Sequence, residues 1–537
     1  MAVHKETLVA AAGLTIGVLR LVVLTAPLEA AQVASDSGQV VSAAQLPAVE
    51  PSQYRRKAGK RLEDLSPEAR DLAVTCTAWM DGFWDDSAGL CWGPYDVSYA
   101  KCHAVRETAW YAIGLLLRNN KVDDERAQLA IAGVLDRQCT DPESQSYGAF
   151  LRYPESPLFD PGEGWVWAIY DDYWCQFIGS TLALILREYE ERLPSGLVKR
   201  MEQAICHAAC GAQRPFGVPD PGTTNIFLMH AFLLDYAGSR LKEPEWTRRA
   251  GELAEQVYDL FKENKAFPEF NAPTYYGVDL YALALWRVWG SSPRFRQLGA
   301  EMEADLWRDI ARFYHAGLRN LAGPFTRAYG MEMTHYVSLT GLWMWEAIGR
   351  DLAPVPVPHP LELRTLQEEF MWGPCFALLG TQIPADALPH LKGFQGERQV
   401  ERVISRSPRL VATAWMGADV ILGALESSSQ RWARWDCRLM TVHWRLPKGA
   451  IGWICLWRGG PVDARAEKGI IRLTCPGDAT FRISVSGTIG RDLWTLPGLV
   501  VEVETDARSW ETKASQTFTD VTYRGATMFT IRTHTGP

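Results

Sequence analysis

Two stretches of this chain carry more reactive side chains than a solvated loop requires. The first, Phe267 to Tyr276, sets the Glu269 carboxylate, the Asn271 amide and the Tyr275 and Tyr276 phenols at the entrance to an apolar segment. Pro268 and Pro273 hold that entrance extended and keep a helix from starting early. The second places Arg327, Tyr329, Glu332, His335 and Tyr336 within ten residues. These residue types divide by the work they can do. Tyr276, Tyr329 and His335 can move a proton. Asn225 or Asn271 can donate to a carboxylate and to the enolate that develops from it, the task of an oxyanion hole. Arg327 offers a planar fork to the same carboxylate or to a neighbouring phenol. Asp171, Asp172, Glu269 and Glu332 could instead supply two carboxyls, one acid and one base. Some of these have structural readings too: Asp171, Asp172 and Thr223 stand where helix N-caps belong, and His230 lies on an apolar face.

The elements that must position them are helices. From about Leu65 to Arg350 the apolar spacing is helical, in segments of about 12–20 residues. Segments near 65–80, 124–137, 195–210, 244–262 and 293–318 carry a charged face and read as outer helices. Those near 103–118, 171–187, 223–237, 275–288 and 333–348 are apolar nearly all round and read as buried. Alternation of this kind, with the later inner helices about 50 to 60 residues apart, is a helical-hairpin repeat. It predicts an α/α toroid of five or six hairpins whose inner helices run parallel. Their N-terminal loops would then gather at one end, bringing together Tyr95–His103, Trp167–Trp174, Asp220–Asn225, Glu269–Tyr276 and Phe325–Tyr336.

After Arg350 the texture changes. Ala353-Pro-Val-Pro-Val-Pro-His-Pro reads as a linker, with a short helix at about 361–369, so 351–370 is expected to separate two domains. Beyond Met371 the pattern is strand-like, as in Val411–Met416, Leu439–Leu446, Ala450–Trp457 and Leu499–Thr505, which predicts an antiparallel β-sandwich over 371–537. At the other end, Lys5 and the apolar run Leu8–Ala26 read as a secretory signal within 1–34, or an uncleaved anchor, followed by a leader over 35–64. The toroid is then 65–350.

Composition narrows the function. A net charge of −8, from 55 basic and 63 acidic residues, argues against a nucleic-acid partner, which needs clustered cations. With the signal cleaved, no stable membrane partner is expected. The 22 tryptophans suit both a core and a cleft that stacks on sugar rings. Eleven cysteines leave at least one unpaired. Cys206-His207-x-x-Cys210 has no second pair at zinc spacing, so neither metal nor cofactor is expected.

A toroid followed by a β-sandwich resembles the polysaccharide lyases of the chondroitin, hyaluronan, alginate and heparin type, over about 65–537. The resemblance is one of architecture, and the local Asn-Asn-x-His-Tyr signature of those lyases is not reproduced. It implies β-elimination on an acidic, uronate-containing glycan: a Tyr or His removes the C5 proton, a phenol protonates the leaving oxygen, and Asn and Arg hold the carboxylate. The catalytic candidates are then Tyr276, Tyr329, His335, Arg327 and Asn271. Asn225, Asp172, Trp174, Glu269, Tyr275, Glu332 and His103 are the substrate-binding ones. Three other readings stay open: a toroid-type glycoside hydrolase with paired carboxylates, a sugar-binding protein without catalysis, and a dehydratase or isomerase. The last resembles linalool dehydratase-isomerase in offering Cys102, His103, Asp172 and Cys175.

Overall fold

Prolines and serines start the helices where the sequence puts them. The computed structural model describes residues 59–93, 102–155, 170–171, 173–214, 221–359, 366–427 and 437–536. The segment expected to be a signal or anchor, 1–34, and most of the expected leader lie outside these, as do residues 94–101, 156–169, 172 and 215–220. Helix α1 (Pro67–Asp81) has proline in its first turn and Ser66 accepting the Ala69 amide, so a cap and a preset φ define its start. The others are α2 (Val105–Arg118), α3 (Lys121–Leu135), α4 (Trp174–Tyr189), α5 (Ser195–Ala212), α6 (Thr224–Leu241), α7 (Pro244–Asn264), α8 (Tyr275–Trp289), α9 (Pro293–Phe313) and α10 (Leu339–Ile348). No helix among the described residues is long and apolar enough to cross a membrane.

The toroid is present. Helices α1, α2, α4, α6, α8 and α10 contact one another in that order and close a ring, while α3, α5, α7 and α9 pack outside it. The expectation for 65–80 needs correcting: α1 is half exposed, but it completes the inner ring between α2 and α10. Two levels of contact show that the inner helices run the same way. At their N-termini Asn225 of α6 meets Glu269 just before α8, and Arg106 of α2 lies over Trp174 of α4. Six residues in, Ser180 of α4 and Tyr281 of α8 share a hydrogen bond of 3.3 Å. Gly277 allows close approach of α10, since a Cβ there would collide with Leu339.

The bore is filled. Residues Gln367–Trp372 form a 3-10 turn and α11 (Gly373–Leu379) follows, touching α1, α2, α8 and α10. Trp372 packs on Trp110, Phe177 and Tyr281, and Phe376 stacks on Trp343 at 4.1 Å. The strand pattern expected from Met371 thus begins only at Arg398. In 371–379 the apolar run is a buried helix, which periodicity alone does not distinguish from a strand. A short helix α12 (Leu388–Lys392) precedes the sheet.

The C-terminal part is the expected antiparallel sandwich, made from one twelve-stranded sheet folded over. Its strands are β1 (Arg398–Arg406), β2 (Arg409–Met416), β3 (Val420–Ser427), β4 (Met440–Arg445), β5 (Ile451–Arg458), β6 (Asp463–Glu467), β7 (Ile470–Ile483), β8 (Thr488–Ile489), β9 (Leu493–Leu496), β10 (Leu499–Thr505), β11 (Ser509–Ala514) and β12 (Thr519–Thr535). The long pair β7 and β12 bends where its register shifts around Gly477, whose φ is +105°. Beyond the bend the partners change: β7 leaves β6 for β5, and β12 leaves β11 for β10. Two leaves result, with Val442, Trp444, Ile454 and Phe481 of one packed on Ile471, Val501 and Ile531 of the other. The opposite face of the first leaf, with Leu410, Ala412, Ala414 and Ile421, joins the core of the helical part. Strand β2 is therefore covered on both sides, which is why it reads as an apolar run broken only by Thr413 after its first residue.

Trp372 is wholly buried where the plug meets three inner helices. Trp372→Ala should cost about 3–5 kcal/mol. A lowered urea midpoint at unchanged m-value would show it; a midpoint equal to wild type would mean the plug does not support the ring.

Candidate functional site at the toroid mouth

The last inner helix starts later than the sequence predicts, and the difference builds the site. Helix α10 begins at Leu339 with Ser338 as cap, not near 333. Before it, α9 ends at Phe313 because Tyr314–His315 pairs with Asn320–Leu321 as a small hairpin. The backbone from 322 to 331 then has partners outside any helix. Phe325 pairs with Arg438 in both directions, the Gly323 amide donates to Thr441 Oγ1, and His443 Nε2 lies 2.9 Å from the Met331 carbonyl. On its other side, the Thr326 hydroxyl donates to the Phe270 carbonyl at 2.8 Å. The segment is thus clamped between the loop entering α8 and the first leaf of the sandwich.

Asn271 is the buckle of that clamp. It is buried at a φ of +52°, a region Asn tolerates, and its amide nitrogen donates to the carbonyls of Ala322 at 2.7 Å and Pro324 at 3.0 Å. It holds backbone rather than facing the cleft, so its expected contact with substrate is not what the structure shows.

The clamp presents Arg327 and Tyr329 to the mouth. Arg327 Nη1 donates to Glu269 Oε1 at 2.8 Å, and Asn225 Nδ2 donates to Glu269 Oε2 at 2.6 Å. The Asn225 backbone amide also points at Glu269 Oε2, so this carboxylate sits at the N-terminus of α6, where the helix dipole favours a negative charge. Arg327 Nη2 donates to the Tyr329 hydroxyl at 3.0 Å, and its guanidinium lies 3.8 Å from the Tyr275 ring centroid. The hydroxyls of Tyr275 and Tyr329 hydrogen-bond each other. Burial pushes the Tyr275 phenol well above its ordinary range, so it stays protonated. Burial opposes the Arg327 charge, but Tyr275, Tyr329 and Glu269 more than offset this. Tyr329 itself is exposed.

Beyond Tyr329 a groove of about 510 Å³ runs between the clamped segment and the sandwich, lined by Tyr329, His335, Trp453, Trp457, Arg482 and Phe518 among others. Two guanidinium groups stand over the Trp457 indole, Arg438 at 3.9 Å and Arg482 at 3.8 Å from the ring centroid. Asp520 fixes Arg482 by two hydrogen bonds of 2.7 and 2.8 Å. His335 is exposed at the rim, with Nδ1 2.7 Å from Glu332, and Glu332 also accepts from the Thr334 hydroxyl.

Other expected residues are placed elsewhere. Tyr276 is buried against Phe270, with Asp309 of α9 nearby; one residue on from Tyr275, a helix turns its side chain about 100° away from the mouth. Trp174 is buried, with Arg106 and Arg152 over its ring at 5.0 and 5.7 Å, so its face is already covered. His103 lies between two carboxylates, Glu155 on Nδ1 and Asp85 on Nε2 at 3.3 Å, and stacks on Trp92 at 3.7 Å. Asp171 accepts the Tyr173 amide, a local turn bond. Asp172 lies outside the described residues. Cys175 is buried, and burial raises the Cys102 thiol to about 11, which leaves little thiolate for the dehydratase reading.

Three acids at the mouth had no place in the sequence reading. Asp279 is buried one turn inside α8; a lone acid in an inner helix was the signal available. Glu368 and Glu369 stand at the lip of the plug beside Arg106 and Glu107. Burial raises Glu368 to about 7, and burial with the neighbouring Glu368 raises Glu369 to about 8. Among the described residues no group of three or more His, Cys, Asp and Glu side chains is arranged to hold a metal.

A family profile matches residues 70–381, which span the ring and its plug and stop before the sheet. The chain belongs to that family, described as Domain of unknown function (DUF8769). The DUF8769 domain therefore carries Glu269, Tyr275, Arg327, Tyr329 and His335, while Trp457 and Arg482 come from the strands beyond it. No curated protein matches the chain. Among solved structures it is similar to heparinase III, at 9% identity and a TM-score of 0.41 over 90% of this chain and 88% of that one. A sugar epimerase from a ruminal bacterium matches at 13% identity and a TM-score of 0.38, over 59% and 99%. Endoglucanase CelQ from Clostridium thermocellum, complexed with cellotetraose, matches at 7% and 0.26, over 87% and 83%. These likenesses lend the site no chemistry.

The raised acids at the plug have a consequence for stability. For a carboxyl whose folded value lies above its ordinary 4.5, stabilisation is full below about 4.5 and is lost as pH rises through the folded value, here about 8 for Glu369. The melting temperature of the wild type, measured relative to Glu369→Gln, should therefore fall between those limits. A difference independent of pH would show that Glu369 is not held protonated.

Proposed function

We propose that this protein is a carbohydrate-active enzyme, a lyase that cleaves an acidic, uronate-containing glycan by β-elimination at the toroid mouth. One observation carries the reading: an exposed tyrosine hydroxyl, Tyr329, bonded to both Arg327 and the protonated Tyr275, on the edge of a groove with cations stacked on tryptophan. In β-elimination the C5 proton passes to a base, the C4–C5 double bond forms, the C4–O bond breaks and the leaving oxygen takes a proton; no water is consumed. In this reading Tyr329, ionised, takes the C5 proton to become a phenol and passes that proton on to the leaving oxygen, which restores the phenolate; Arg327 and the Tyr275 hydroxyl hydrogen-bond its oxygen. Arg482 and Arg438 bring positive charge to the groove that would receive the glycan's carboxylates, the His335 imidazole lies at its rim, and Trp453 and Phe518 add faces for its rings. Export through the segment 1–34 belongs to the same proposal, and the N-terminal sequence of the mature protein tests it.

Hydrolysis is supported less. It needs two carboxyls aimed at the bond, and the described ones named from the sequence are engaged with the protein: Glu269 with Asn225 and Arg327, Glu332 with Thr334 and His335, Asp171 with the Tyr173 amide, which leaves Glu368 and Glu369 of the plug to carry that reading.

A panel of uronate polymers decides between the two. Elimination leaves a conjugated double bond that absorbs in the ultraviolet; new reducing ends without that absorbance would overturn the lyase reading. Tyr329→Phe should lower kcat/KM by about 10²–10⁴-fold with an unchanged melting temperature. Tyr276→Phe, altering a phenol that does not reach the mouth, should remain near wild type in kcat/KM.

A further inference from the structure

Strand β1 sets two arginines against the ring, and only one of them meets a counter-charge. Arg398 and Arg402 stand four residues apart, on one face of the strand. Arg402 donates to both oxygens of Asp309 in α9, at 3.0 and 3.1 Å. Arg398 reaches the end of the same helix and meets carbonyls instead: its Nη2 donates to Tyr314 at 2.6 Å and to Ala311 at 3.3 Å. Its Nε is buried without a partner, its Nη1 has no protein acceptor, and among the described residues no carboxylate pairs with it. Capping the last carbonyls of α9 explains Nη2, and the negative end of the helix offsets part of the charge. It leaves the other two nitrogens unexplained.

Arg398 lines a groove of about 370 Å³ at the seam of α9, α12 and β1, together with Arg308, Arg312, Asp386, His390 and Glu401 among others. The His390 side chain makes no hydrogen bond within the protein, and its Nδ1 is buried. Burial, and then the Arg398 charge, hold this imidazole below its usual range, so at neutral pH it has one N–H to give. The acids around the groove are already engaged. Asp386 accepts from Arg308 at 3.0 Å and Glu401 from Arg465 at 2.5 Å. Behind them Asp309 serves Arg402 and Arg312, and Asp305 serves Arg308 and Lys265. One cation is left over, and burial works against its charge. A partly buried charge of this kind is stable when something supplies its counter-charge.

We propose that this seam is a binding site, separate from the mouth, for a small organic carboxylate, which accepts hydrogen bonds from Arg398 and from the His390 imidazole. The ligand's single negative charge matches the one cation left over, whereas a phosphate dianion would bring more charge than the groove leaves uncompensated. A planar carboxylate also suits the guanidinium fork. The volume is at the low end of the range for small-molecule sites. An occupant would touch α9, α12 and β1 at once, and so fasten the ring to the sandwich. None of this depends on the lyase reading, because the groove shares no lining residue with the one beside Tyr329.

The test is the melting temperature of the full chain as sodium acetate, sodium glucuronate or sodium phosphate replaces sodium chloride at constant ionic strength. With acetate or glucuronate it should climb with ligand concentration, as mass action requires. The steeper of the two tells a simple acid from a sugar acid. Arg398→Gln keeps a donor for the Tyr314 carbonyl and removes the charge, and it should lose at least tenfold in affinity. If Arg398→Gln does not fold, His390→Ala, which breaks no hydrogen bond in the protein, should weaken binding about tenfold. A carboxylate bound at the mouth would raise wild type and both variants alike, and the subtraction removes it. No rise beyond that in chloride, or the same rise in wild type and both variants, overturns the site. A rise with phosphate larger than with either carboxylate overturns the ligand class. A protein that cleaves no uronate polymer yet shows the difference between wild type and Arg398→Gln would remove the lyase reading and leave the seam site standing.

Discussion

Glu269 is gripped from two directions, and the mouth depends on that grip. Arg327 arrives from the segment after α9 and Asn225 from the start of α6, so one carboxylate ties together three pieces of chain far apart in sequence. Ion pairs on open surface contribute little, because water competes and two long side chains must be held still. Here Glu269 is buried, and its oxygens have an amide and a guanidinium as donors. Removing one partner of such a pair leaves a buried charge uncompensated, typically a loss of about 3–5 kcal/mol. The same guanidinium lies on the Tyr275 ring and donates to Tyr329, so the electrostatic anchor also sets two phenols within hydrogen-bond distance of each other.

The sandwich is part of this site as much as the ring is. Its first leaf turns one face to the opposite leaf and the other to the helices, and the segment 322–331 is fastened to that second face by backbone hydrogen bonds. A loop so held gives up conformational freedom once, on folding, so that Tyr329 need not be ordered again when a ligand arrives. The groove between the two parts takes its aromatic and cationic lining mainly from β5 and β7, while the phenols come from the ring. Neither part holds a complete cleft.

The helices were legible because burial writes itself into the sequence. Inner helices such as α6 and α8 are apolar all round since each is surrounded, and outer ones such as α7 keep a charged face to water. Proline starts α1, α7 and α9 at the positions the chain advertises. From those local signals the ring follows, and from the ring follows the meeting of Asn225, Glu269, Tyr275, Arg327 and Tyr329 at one end. Strands of the sandwich were legible in part. Five short or polar ones, β1, β6, β8, β9 and β11, carry too little pattern of their own and are defined by their neighbours.

What the chain could not disclose is where each side chain points once its helix is placed. Tyr275 and Tyr276 are the same residue type at adjacent positions, yet a rotation of about 100° sends one to the mouth and the other into the core. Asn271 looks like a ligand for substrate and serves as a buckle, because the carbonyls that need it come from a segment some fifty residues away. The apolar run at 373–379 could have been a strand and became the plug, because six helices leave a space of its width. Amino-acid order determined the helices, the alternation of inner and outer faces and the pool of reactive groups. Tertiary packing alone chose which of those groups share a cleft, since that choice depends on contacts between residues distant in sequence, and local periodicity carries no record of them.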